Sequence, residues 1–335
     1  MRIAVIYDGS IVNAYYRAVL PMRELERRGH RVLWPVNPSF ASTLDQVPDC
    51  DVVHIHRMPA EKDLEAIRRL RDAGVPVVWD NDDDMMALQK RRLYRKLDPS
   101  HRHPKRRERQ RNWERTVEIA RAASVMTTPS AQLAQRYRDA GVEDVRVVEN
   151  HVADADVRRP RTRHQGLVIG CVAAFEHATD LVDLKIPQVL HRLLETHPGV
   201  RVIAVGHDLG IEHPRYERHR VVPVEELVRF ETQFDVGIAP LVETEFNRSR
   251  SNIKLKEYAA AGAMWLASPV GPYVGMGEGQ GGLLVRDDEW FDVLDVLAQD
   301  FRRRAALMER AHAWGRTQGI RDAGAEWERV LRSVR

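Results

Sequence analysis

The densest chemistry in this sequence lies in segment 246–262, FNRSRSNIKLKEYAAAG, where polar residues give way to an alanine-rich run. Ser251 and Asn252 are residue types that cap helices, so a helix starting just after them leaves its first backbone N–H groups unused. Those groups sit at the positive end of the helix dipole and suit an anion such as a diphosphate. Lys254 and Glu257 stand three apart and share one helix face. That face offers a cation beside the anion and, one turn deeper, a carboxylate able to accept hydrogen bonds from both hydroxyls of a ribose. An ordinary solvated Lys–Glu pair is the plain alternative. The scarcity of lysine, seven in 335 residues, and the tight Ala-Ala-Ala-Gly ending that precedes a strand favour the ligand reading.

Other polar groups cluster where strands should end. Asp80, Asp82, Asp83 and Asp84 follow one apolar run and contain an Asp-x-Asp pattern that can hold a divalent metal through oxygen ligands; lining a binding cleft or capping the next helix are the alternatives. His54, His56 and Arg57 end another run. Histidine there could act as a base or simply hold a structural hydrogen bond. Residues 277–282 satisfy G-x-G-x-x-G, but they precede a strand instead of joining a strand to a helix, so a dinucleotide fingerprint is rejected. A glycine loop that closes over a ligand is expected instead. Ser251 to Lys254 also matches S-x-x-K, without the companion motifs that would give it meaning.

The elements that must position these groups alternate in type. In the first half, strands are expected at 2–7, 31–35, 51–56, 76–80, 124–129 and 144–149, with helices at 13–28 and 64–73 closed by Gly29 and Gly74. The second half repeats the pattern with strands at 167–173, 200–205, 220–223, 235–240, 263–268 and 282–285, and is helical from 289 onward. Strands alternating with crossover helices make a parallel, doubly wound sheet. The length suits two domains, and Arg-rich segment 156–165, which holds Pro160, has the composition of a linker. We therefore expect a first domain over 1–160, a second over 166–315, and a C-terminal helix at 316–335 that packs back on the first.

With 43% hydrophobic and 30% charged residues and a formal net charge of +3, the composition is that of a soluble globular protein. Cys50 and Cys171 fall in apolar strand contexts and make no disulfide framework. Met1 leads directly into a strand, with no signal-peptide pattern, and no apolar run is long enough to span a membrane. A cytoplasmic location is expected. The run 89–115, with Lys105, Arg106, Arg107, Arg109 and Arg111 among its basic residues, is either a solvated face or a surface for an anionic partner: a membrane carrying a lipid-linked acceptor, a phosphorylated acceptor or a nucleic acid. Aromatic interleaving is limited to Tyr94 and Trp113, which gives base stacking little support.

Segment 246–262, continued by 265–273 and 282–285, resembles the donor-binding core of GT-B glycosyltransferases similar to family 4. Segments 51–56, 77–80, 127–130 and 147–150 resemble successive strand ends of that family's first domain. The resemblance implies two Rossmann-like domains facing a cleft, and metal-independent transfer of a sugar from a nucleotide-diphosphate donor with retention of configuration. No cofactor is implied beyond the nucleotide sugar, with UDP or GDP as carrier. The family pairs two glutamates separated by seven residues; Glu257 matches the second, which holds the donor ribose, and Ser249 stands at the first. Where relatives carry a basic pair for the diphosphate, this chain has residues 175–180, so Lys254, His177 or Arg250 must supply the charge. The resemblance also implies catalytic roles for Lys254, Asp82 and His177, and donor contacts from Ser249, Arg250, Ser251, Asn252, Glu257, Gly271, Pro272 and Tyr273. Gly9, Ser10, Asn13, His56 and Arg57 would face the acceptor, a glycan, lipid-linked or small natural product. The rival is a homologue of the same fold that binds a nucleotide without transferring a sugar.

Overall fold

The computed structural model describes residues 1–7, 14–34, 49–57, 60–88 and 105–335. Two six-stranded parallel sheets organise the chain. The first contains β1 (Arg2–Tyr7), β2 (Arg31–Leu33), β3 (Val52–His56), β4 (Val77–Asp80), β5 (Val125–Thr128) and β6 (Val145–Val147), in the order β2-β1-β3-β4-β5-β6. The second contains β7 (Leu167–Ala173), β8 (Val200–Gly206), β9 (Tyr216–His219), β10 (Val236–Ala239), β11 (Met264–Ala267) and β12 (Gly282–Leu284), in the order β12-β11-β10-β7-β8-β9. Chain direction along each sheet reverses beside β1 and beside β7, and ligands of doubly wound sheets bind outside the carboxyl ends of the strands at such points.

One expected strand is displaced. The edge strand of the second sheet is Tyr216–His219, paired with β8, whereas 220–223 is irregular. The apolar pair Val221-Val222 suggested burial in a strand, but Pro223 removes a ladder donor just after it, and Val221 ends 69% exposed.

The helix Ile253–Ala260 owes its position to a notch in the second sheet. Tyr258 lies against Gly237 of β10, where an added Cβ would come within 2.3 Å of the ring. Its hydroxyl donates to the Ile238 carbonyl at 3.1 Å and accepts from the Val172 N–H at 3.1 Å. Leu255 and Ala259 are fully buried beside it. The helix ends at Gly262, whose φ of +81° is the left-handed conformation that glycine adopts without a Cβ penalty. Lys254 and Glu257 thus project from a helix that is bolted to two strands.

Crossings between the halves are paired with each other. The Val152 N–H donates to the Gln318 carbonyl at 3.1 Å, and the Ile320 N–H to the Val152 carbonyl at 2.9 Å. The final helix, Ile320–Arg332, then buries Ile320, Trp327, Val330 and Leu331 in the core that holds Ile3 and Val5 of β1. The C-terminal tail therefore crosses back onto the first domain. No described helix is long and apolar enough to cross a membrane.

Candidate functional site

A cleft with room for about 200 Å³ lies between the two halves, lined from the first by Tyr16, Arg57, Asp82, Asp83 and Asn150. From the second come Glu176, His177, Arg250, Ser251, Lys254, Glu257 and Tyr273. A wider hollow of about 760 Å³ runs along the linker past Arg158, Arg159 and Arg316. It shares no residue with the cleft and borders the opposite, C-terminal end of the helix that carries Lys254, at Gly262.

The 249–257 segment is held from both sides. Ser130 Oγ donates to the Ser249 carbonyl at 2.7 Å, and Asn150 Nδ2 donates to Ser251 Oγ at 3.0 Å. Lys256, only 1% exposed, donates to Glu149 Oε2 at 2.7 Å and to the Asn150 carbonyl at 2.9 Å. Asn252 stands at the N-cap of the helix, although its side chain makes no capping bond. The amides of Ile253 and Lys254 remain outside the helical ladder, at the positive end of the dipole.

Lys254 Nζ pairs with Glu257 Oε2 at 2.7 Å. Burial would lower the ammonium's pKa, but Glu257 and Glu231 outweigh that and raise it. Arg250 is similar: burial works against its charge, while Asp83 and Glu176 sustain it. Its nearest carboxylate oxygen, on Glu176, is 3.9 Å away, and its buried Nη1 has no hydrogen-bond partner. Glu231 lies behind this pair, 2% exposed, and burial together with Glu257 holds its carboxyl well above the usual range. Two cations and free amides thus share one wall of the cleft.

The opposite wall is acidic and strained. Arg57 has φ +61°, a left-handed conformation that costs a non-glycine residue on the order of 1 kcal/mol or more. It is fixed by its N–H donating to the Asp80 carbonyl at 2.7 Å and by Trp79 Nε1 donating to its own carbonyl. Its side chain pairs with Asp82 at 2.8 Å and reaches Asp83 at 3.4 Å. Burial and the neighbouring Asp82 push the Asp83 carboxyl up to about 6. Burial would raise Asp82 too, but Arg57 and His56 outweigh it and keep that carboxyl low.

The five-residue acidic run is divided among different jobs. Asp80 is fully buried, bonded to Arg17, His56 and Thr127. Asp84 accepts from the Ala87 N–H at 3.0 Å, capping a short helical turn, and pairs with Arg136 at 2.9 Å. Only Asp82 and Asp83 reach the cleft. Among the described residues no group of three or more His, Cys, Asp and Glu is arranged to hold a metal ion.

Several residues singled out in the sequence lie elsewhere. Ser249 is 2% exposed; its hydroxyl donates to the Phe246 carbonyl at 2.8 Å, closing a short helical turn, so it does not line the cleft. Asn252, Gly271 and Pro272 border an adjoining hollow of about 490 Å³, while their neighbour Tyr273 lines the cleft itself. His56 is buried against Asp80, with Nε2 3.9 Å from Asp82. Loop 277–282 is pinned instead of closing over the cleft: Glu278 pairs with Arg303 and Arg310, and a Cβ on Gly281 would meet Ala311. Gly9, Ser10 and Asn13 lie outside the described residues. Of the basic run only 105–115 is described. Arg106, Arg107 and Arg111 are exposed there and share no hollow with the cleft.

The cleft also contains groups that sequence reasoning missed. Val172, Val221, Val222, Val224 and Leu227 form an apolar wall; a partly exposed valine pair beside Pro223 was the available signal. Tyr16 was not legible at all, since its partner is Glu257, 241 positions away.

No protein-family model matches the sequence, and comparison with characterised protein sequences finds no relative. Solved structures do match its fold. Anabaena Alr3699/HepE in complex with UDP aligns with a TM-score of 0.70 and 15% identity over 99% of this chain and 100% of that one. Sucrose-phosphate synthase from Thermosynechococcus elongatus aligns at 0.69 and 12% over 100% and 99%. An alpha-glucosyltransferase in complex with UDP-glucose and DNA containing an abasic site aligns at 0.67 and 12%, over 99% of both chains. The chain has the GT-B fold: two Rossmann-like domains facing a cleft.

Proposed function

We propose that the chain is a glycosyltransferase that moves a sugar from a nucleoside-diphosphate donor to a hydroxyl-bearing acceptor. The observation that carries this reading is the convergence of Arg250, Lys254 and Glu257 on one wall of the cleft, beside free helix amides. The diphosphate would lie on those amides between the two cations, which meet the negative charge that develops on the leaving group. Glu257 would accept hydrogen bonds from the ribose, and the valine-rich wall would take the base. The UDP complex of HepE supports UDP as the first carrier to test.

The sugar then faces Asp82, Asp83, Glu176 and His177, carboxylate and imidazole groups suited to accepting hydroxyl protons. In the reaction the anomeric carbon–phosphate oxygen bond breaks, the acceptor oxygen bonds to that carbon, and the acceptor proton passes to the departing diphosphate. Attack on the face that the diphosphate leaves retains configuration. We take the transfer to be metal-independent, because two side-chain cations already face the diphosphate position.

Thermal-shift screening of UDP, GDP and dTDP sugars tests the donor reading: at ligand concentrations 100 times Kd, binding adds about 2.7 kcal/mol of stability. No shift with any of them would overturn it.

A further inference from the structure

Glu257 is only 7% exposed, with an ion pair on one oxygen and a hydrogen bond on the other. Lys254 takes Oε2 from within the same helix. Oε1 accepts a hydrogen bond from the hydroxyl of Tyr16, which belongs to the other domain. Tyr16 comes from a π-helical turn, Tyr15–Val19, that runs into the helix Leu20–Arg27. Such turns are rare and occur often at functional sites. The ring is steadied by an edge-on contact with Tyr15 at 5.0 Å between centroids.

We propose that Tyr16 is a latch on the ribose position: in the empty protein its hydroxyl occupies the Glu257 oxygen that a nucleotide would use, and the incoming ribose displaces it. This rests on the donor reading given above. The latch ties the domains together across the cleft at the carboxylate that the ribose needs, so loading the nucleotide and releasing this tie become one event. Burial and the charge of Glu257 hold the phenol well above its ordinary pKa, so it remains a proton donor. The other ties between the domains, Ser130 to Ser249, Asn150 to Ser251 and Lys256 to Glu149, do not involve Glu257.

Tyr16→Phe keeps the ring and removes only the competing donor. UDP and GDP titrations should then show tighter binding than in the parent, on the order of tenfold, the factor that 1.4 kcal/mol represents. Amide hydrogen exchange without nucleotide should be faster across Tyr15–Val19 in the variant than in the parent, and equal once nucleotide is bound. Equal or weaker binding by Tyr16→Phe, with the parent binding normally, would overturn the latch. If the parent binds neither nucleotide, the donor reading fails and the ribose latch fails with it, whereas a parent that binds and a variant with unchanged exchange and affinity overturn the latch alone.

Discussion

Two buried charge clusters in this chain contain the same kinds of groups and are wired differently. At the ends of β3 and β4, Arg17 bonds through Nε, Nη1 and Nη2 to Asp80, Asn150 and the Val148 carbonyl, and both Asp80 oxygens are taken. The guanidinium also lies 4.9 Å from the ring centroid of Trp327 in the returning helix. At the start of the Ile253–Ala260 helix, Arg250 keeps a buried nitrogen without a partner and Glu231 keeps a buried oxygen without one. The first cluster is closed around Arg17 and Asp80, whose charges join strands, linker and tail, although the far ring nitrogens of His54 and His56 keep no partner. The second is open on its cationic wall, and a buried guanidinium nitrogen left without a partner in a concave site is what an anionic ligand corrects.

Breaking the closed cluster should cost most. Arg17→Ala leaves Asp80 buried without its guanidinium partner, held only by His56 and Thr127, and we expect a loss of about 3–5 kcal/mol in chemical denaturation. Lys254→Ala should separate the two regions, with turnover falling about 10²–10³-fold while the unfolding midpoint barely moves. A midpoint drop as large as that of Arg17→Ala would show the second cluster to be structural as well.

Asp83→Asn sharpens the contrast through pH. The folded state raises the Asp83 carboxyl to about 6, so this side chain favours folding when protonated, and that contribution is lost as pH rises from about 4 through 6. The amide variant should therefore be more stable than the parent by on the order of 1 kcal/mol at pH 7, with the difference vanishing below pH 4. Thermal melts across that range check it; a constant difference would mean that Asp83 is not the titrating group.

The fold was legible because its signals are local. Apolar runs of parallel-strand length, left-handed Gly29 and Gly74 after their helices, and a helical tail all follow from neighbouring residues. The displaced edge strand at 216–219 shows the limit of that approach: an apolar pair looks the same in sequence whether it enters a sheet or lines a cleft. At the site, Lys254 and Glu257 were legible from their spacing, because three residues on a helix define one face. Ser249 was not, since sequence position cannot say that its hydroxyl would close its own turn. Neither Tyr16 nor the bridging role of Lys256 could be read from sequence, because their partners lie 241 and 107 residues away and depend on how the domains meet.

Glu257 is the ribose anchor proposed for the nucleotide site. Calorimetric titration of UDP and GDP into the parent and into Glu257→Ala tests it most directly. Losing hydrogen bonds to a charged group, each worth about 1.5–3 kcal/mol, should weaken the bound nucleotide at least tenfold and by as much as a hundredfold. A variant that binds its nucleotide as tightly as the parent would contradict the placement of the ribose.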